Sequence, residues 1–184
     1  MTWETRNQLG TVYGDLPHVS GRFYDSRIQS AFTTFTLTVN TLYAVPFYVP
    51  VATTYTTLAV EVTTLSVGKS VRLGIYNDST GVPGSLVLDA GTISTTTTGA
   101  KTITISQLLA AGWYWLAAVC DSSVPVLRAL SQTNALPAMG YTSGTDTTNH
   151  VGFSVAFTFA ALPSTFTGGG AVMTTAAPRI MLGY

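Results

Sequence analysis

Hydrophobic side chains fall at every second position through most of this chain, in short stretches closed by turn residues. Between Val71 and Ile93, for example, Val71, Leu73 and Ile75 alternate with Arg72, Gly74 and Tyr76, the period of a strand with one buried face. Asn77, Asp78, Ser79, Thr80 and Gly81 end that strand, since short polar side chains compete for the backbone and glycine tolerates positive φ. Pro83–Gly84 is expected to be the central pair of a type II turn, after which Leu86 and Leu88 open a second strand that ends at Asp89-Ala90-Gly91. The unit reads as strand, structured loop, strand.

The same period recurs on both sides of it. Phe35, Leu37 and Val39 alternate with threonines, and Tyr43, Val45, Phe47 and Val49 alternate around Pro46 and Pro50. Proline cannot donate to a ladder, so that segment is expected at a sheet edge, at a bulge, or in a strand that changes sheets. Leu58, Val60 and Val62 share one face, and so do Ile103 and Ile105; Ser106–Leu109 is the one place where a helical turn is expected. Trp113–Cys120 is apolar on both faces, which places it centrally with both sides covered, a neighbouring subunit being one candidate for the cover. Residues 131–150 carry no strand pattern, and loops of that length are usually functional or mobile. Val151, Phe153, Val155, Phe157 and Phe159 then alternate with small residues, before a turn at Gly168–Gly170 and a closing strand over 179–184.

About nine strands with turn signals every 8–12 residues argue for an all-β fold, an antiparallel β-sandwich. A jelly roll is favoured among its variants, since the Cys…Trp…Cys spacing of immunoglobulin domains is missing. Residues 1–28 show no sustained period and read as an extended N-terminal arm, leaving 29–184 as the sandwich. The arm either wraps the sandwich or docks onto another protein, with Trp3, Phe23 and Tyr24 as anchors.

Composition adds one strong constraint. Only 9% of the residues are charged, against about 25% in ordinary globular chains, so little keeps copies apart and self-association is expected. The formal net charge is zero and Lys and Arg are scattered singly, which excludes the basic footprint of a nucleic-acid binder. A single cysteine, Cys120, precludes an intramolecular disulfide and suits a reducing cytoplasm. No apolar run approaches the ~20 residues that span a bilayer, so no membrane insertion is expected. MTWETRNQLG is not followed by the apolar run of a secretory signal.

Chemistry is sparse. His18 and His150 are far apart, no G-x-S-x-G elbow occurs, and Cys120 reads as a buried inert thiol. Nothing in the spacing of the eight carboxylates selects a pair, and the Asn77–Thr80 oxygens read as turn caps in preference to calcium ligands. Gly168–Gly170 is followed by neither Lys nor a helical pattern, as a phosphate loop would need. No catalytic residue, metal or cofactor is expected. Binding is the remaining role, and Tyr141, Asp146, Asn149 and His150 combine an aromatic platform with adaptable polar groups.

GIYNDSTGVPGSLVLDAGT followed by LLAAGWYWLAAV, and preceded by LYAVPFYVP and VEVTTLSVGKSVRLG, resembles small β-sandwich structural proteins of tailed bacteriophages. These occur as tail-fibre or tail-tip modules and as decorations of the head; similar GIYxDxxGxPG hairpins occur in secreted carbohydrate-binding sandwiches. The resemblance spans roughly residues 20–130. It implies a homotrimer, assembly in the bacterial host cytoplasm, a place on the virion, and partners among capsid or tail proteins and host-surface glycans. Heptads and collagen-like repeats are missing, so no long shaft is expected. The expected function is a non-enzymatic virion surface protein, either head decoration or tail receptor-binding component. The alternative is a secreted carbohydrate-binding module.

Overall fold

The computed structural model describes residues 16–26, 31–122, 124–133 and 139–184. Its alternating stretches are strands: β1 (Phe23–Tyr24), β2 (Phe32–Thr36), β3 (Thr41–Val49), β4 (Thr53–Thr64), β5 (Ser70–Ser79), β6 (Val82–Ser94), β7 (Gly99–Leu109), β8 (Gly112–Cys120), β9 (Val126–Ser131), β10 (Gly152–Ala156), β11 (Ala171–Met173), β12 (Ala176–Pro178) and β13 (Met181–Gly183). They form two antiparallel sheets. One has the order β11-β10-β3-β8-β5-β6. In the other, β4 pairs with β7 on one edge and with β13 and β9 on the opposite edge; β9 also carries β2 and β12, and β1 pairs with β13. The chain changes sheet at eight of its twelve connections; β1–β2, the long β5–β6 hairpin, β10–β11 and β12–β13 stay within one. The all-β sandwich is therefore present, and this connectivity describes its winding.

Between the sheets lies a core of Val45, Phe47, Leu58, Val60, Leu73 and Leu116 with their neighbours, all essentially buried. Much of the outer face of the six-stranded sheet is buried as well. Trp115, Ala117 and Val119 of β8 point away from the main core and pack with Leu42, Tyr76, Phe153, Leu162 and Phe166. The cover that β8 demands is thus the chain's own segment 157–166. Hydrogen bonds fasten it: Leu162 N–H to Asp89 Oδ2 (3.0 Å), the Tyr76 hydroxyl to the Pro163 carbonyl (3.0 Å), and Phe166 N–H to the Gly84 carbonyl (2.9 Å). Arg72 grips the same Asp89 carboxylate in a bidentate pair. Burial pushes the Asp89 carboxyl up, but the bonds from Arg72, Leu162 and Gly91 outweigh it and hold the group below its ordinary value. Gly74 makes room for the cover, because a Cβ there would come within 2.2 Å of Leu162 Cδ1 and 2.5 Å of the Leu88 carbonyl oxygen.

Four local expectations are corrected. The β5–β6 turn lies at Thr80–Gly81, both with positive φ (55° and 89°), and Pro83–Gly84 belongs to β6. Positive φ at both central positions marks a type I′ turn, whose twist matches the flanking strands where a type II turn would splay them. Ser106–Leu109 is extended, because pairing of Leu108 and Leu109 with Thr54 and Thr53 overrides local preference. Asp78, expected among the turn residues, stands in β5, and β6 runs past the expected strand end at Asp89-Ala90-Gly91 to Ser94. Val151 belongs to the inter-sheet core while Phe153, Val155, Phe157 and Phe159 join the outer cluster. The face changes at Gly152, pressed so closely on the Ala44 carbonyl that a Cβ would sit 2.4 Å from its oxygen. Pro46 sits in β3 beyond Ala44, where β10 no longer pairs, so β3 is locally an edge there.

Residues 16–26 are built into the sandwich. β1 adds to β13, and Arg179 pairs with Asp25. The buried His18 ring stacks on Tyr24 at 3.7 Å, and its Nδ1 lies 2.5 Å from the Tyr55 hydroxyl. The expected boundary near residue 28 and the anchor Trp3 lie outside the described residues.

Burial lowers the His18 pKa from its ordinary 6.5. Between that lowered value and 6.5 the unfolded chain binds more protons than the folded one, so stability falls as pH drops through this window and levels off below it. Urea unfolding at pH 7.5 and 5 is expected to show the loss, and His18→Phe to flatten it. Gly74→Ala is expected to cost about 1–3 kcal/mol by overpacking, measured in the same way.

Candidate functional site

The four loop residues singled out from sequence come together. Asp146 Oδ2 accepts from Thr142 N–H (3.1 Å), Thr142 Oγ1 (2.7 Å) and His150 Nε2 (3.1 Å), and Oδ1 accepts from Thr148 N–H (2.9 Å). The Tyr141 hydroxyl donates to Asn149 Oδ1 at 3.3 Å, and Asn149 Nδ2 donates to the Gln132 carbonyl. The Tyr141 and His150 rings stand edge to face at 6.3 Å. Asp146 therefore organises the loop: its acceptors are used internally, His150 is buried beneath it, and Tyr141, 49% exposed, carries the face open to solvent. The Thr142 hydroxyl, followed by the Thr148 and Thr142 amides, pulls the Asp146 carboxyl down to about 2. Of the expected anchors, Tyr24 is committed to His18, while Phe23 is 49% exposed on β1.

A second feature lies where the cover over the outer sheet face stops. Trp113 and Trp115, two apart on β8, share that face; Trp115 is 2% exposed and Trp113 43%. Pro46 lies directly opposite Trp115 on β3, and Asp78 follows Tyr76 on β5, the strand on the other side. Gly81 of the hairpin turn and Met139 of the long loop complete the lining of an open pocket of about 250 Å³. Within it the Trp115 indole N–H donates to Asp78 Oδ1 (2.8 Å), and Gly81 N–H donates to Asp78 Oδ2 (3.1 Å). The Trp113 ring leans on Tyr48 at 5.1 Å. The turn that fixes Asp78 is the I′ turn, so hairpin geometry sets the position of the carboxylate.

Sequence reasoning assigned Asp78 to turn capping and Trp113 to a covered strand. Asp78 does cap the turn, through Gly81. The signal that points further is the spacing Trp-x-Trp, which puts two indoles on one sheet face next to the tip of the β5–β6 hairpin.

Among the described residues no group of three His, Cys, Asp or Glu could hold a metal ion. Cys120 is buried in the core, and burial pushes its thiol up to about 11, far from a reactive thiolate. No protein-family model matches the chain, and no curated protein matches it. No helix among the described residues is long and apolar enough to cross a membrane.

The depressed Asp146 carboxyl sets a pH limit on the long loop. A carboxylate held down in the folded state contributes above its ordinary value of 3.8 and loses that contribution as pH falls through about 2. The Thr142 and Thr148 amide resonances are expected to keep their folded positions at pH 4 and to shift together as pH approaches about 2. Asp146→Ala is expected to abolish those folded positions at neutral pH.

Proposed function

We propose that this chain is a non-enzymatic structural protein on the surface of a tailed-bacteriophage particle, where it serves as a receptor-binding component that contacts host-surface glycans. The observation that carries the binding role is the pocket of Trp113, Trp115 and Asp78, an aromatic surface beside a positioned carboxylate on a rigid sheet. Supporting the virion setting is the resemblance of residues 20–130 to phage β-sandwich proteins. The low charge supports assembly into a homotrimer, in which three weak sites act together and raise the effective affinity. Contact with neighbouring capsid or tail proteins is assigned to the segment 1–28, with Trp3 and the half-exposed Phe23 as its apolar anchors. Assembly in the bacterial host cytoplasm accords with the single buried cysteine.

The same pocket favours a second reading, a secreted carbohydrate-binding module, because an indole beside a carboxylate suits sugars in either setting. Immunogold labelling of purified particles with an antibody against this chain separates them. Label at the tail is the expected result. Label over the head would replace the receptor-binding role with capsid decoration, and particles without label would favour the secreted module.

A further inference from the structure

The binding reading leaves the chemistry of the ligand open, and the pocket lining narrows it. Resting on that reading, we infer that the Trp113–Asp78 pocket takes one uncharged pyranose ring and discriminates against acidic sugars.

Size comes first. At about 250 Å³ the space falls below the range of about 300–1,000 Å³ that encloses a drug-sized ligand, so it admits a single ring with the rest of a glycan outside. The walls then divide by chemistry. Trp113 offers an exposed indole already steadied by Tyr48, so little side-chain entropy is lost when a ring settles on it. Pro46 and Met139 add apolar surface for the ring's C–H groups. Opposite them stands Asp78. Each of its oxygens already accepts one protein hydrogen bond, from Trp115 and from Gly81, which fixes the plane of the carboxylate. A carboxylate has about four acceptor sites, so lone pairs remain on both oxygens for two neighbouring hydroxyls of a sugar. These would be charge-assisted bonds, the stronger kind.

Charge supplies the discrimination. Among the described lining residues Asp78 is the one charged group, and none is Lys or Arg. A uronate or sialate carboxylate entering this space would meet the like charge of Asp78, with no cation among the described lining residues to offset it, which is unfavourable at short range. A neutral ring meets only acceptors and an aromatic face. The arrangement differs from the Asp146 loop, whose carboxylate is occupied by four donors of its own.

Saturation-transfer NMR on the full chain tests this, with the methyl glycosides of glucose, galactose and N-acetylglucosamine set against glucuronic acid and N-acetylneuraminic acid. Transfer to at least one neutral glycoside, and to neither acid, is expected. Trp113→Ala is expected to weaken that binding at least about tenfold, the loss of one central contact. Because Trp113 is partly exposed, the thermal midpoint should stay near that of the parent. Asp78→Asn should weaken binding comparably and remove the discrimination, and a circular dichroism spectrum matching the parent verifies that its hairpin is intact. Equal or stronger transfer to the acids, no transfer to any neutral glycoside, or full affinity in a folded Trp113→Ala would each overturn the inference. Tail label on particles without sugar binding would sink this inference and leave the virion reading standing. Sugar binding without particle label would do the reverse.

Discussion

A strand that is apolar on both faces cannot sit at a surface, and β8 is such a strand. Leu116, Ala118 and Cys120 look into the space between the sheets, while Trp115, Ala117 and Val119 look outward. Leaving the outward set in water would forgo about 1.5–3 kcal/mol for each large side chain. The molecule meets this with three layers, the two sheets and an irregular segment, 157–166, laid over the outer one. Other features follow from that need. Gly74 is small so that Leu162 can approach, Asp89 holds the Leu162 amide, and Tyr76 reaches the Pro163 carbonyl. The pocket exists because the cover ends at Trp115 and leaves Trp113 uncovered.

In a chain this poor in charge, the carboxylates act as fasteners. Asp89 ties the cover to β6, Asp146 closes the long loop on itself, and Asp78 joins the hairpin turn to Trp115. Glu61 and Arg128 link β4 to β9 in a bidentate pair, and Asp25 with Arg179 secures the N-terminal segment. Each partner set includes backbone amides or a planar guanidinium, the donors that hold a carboxylate in one orientation. Asp78 differs in degree: two protein donors orient it, and it lines the open pocket.

Much of the sandwich was legible from alternation, because period-two burial is a direct imprint of a sheet with one wet face. Leu58, Val60 and Val62, or Val71, Leu73 and Ile75, could be placed on their core face without coordinates. The doubly apolar β8 was legible in the same way, down to its need for a cover. The identity of that cover was not, since Leu162 and Phe166 lie in a stretch with no period and reach β8 only through tertiary contacts. Turn placement failed at Pro83–Gly84 because two turn-forming dipeptides stand three residues apart, and strand twist selects between them. The four loop residues singled out from sequence do contact one another, whereas Trp113 and Asp78 were not paired, because 35 positions of sequence separate them and only the β5–β8 ladder brings them close.

The dependence of β8 on a later segment also shapes how the chain is made. Leu162 and Phe166 leave the ribosome well after Trp113–Cys120, so the outer face of the central strand is finished first and stays bare through the intervening synthesis. At about 5–20 residues per second that interval lasts seconds. During it, the nascent chain displays the face bearing Trp115, Ala117 and Val119 to chaperones and to other unfinished copies. The low-charge segments on either side do little to repel them. Translation speed over residues 121–166 therefore becomes a determinant of yield, independent of how stable the completed sandwich is.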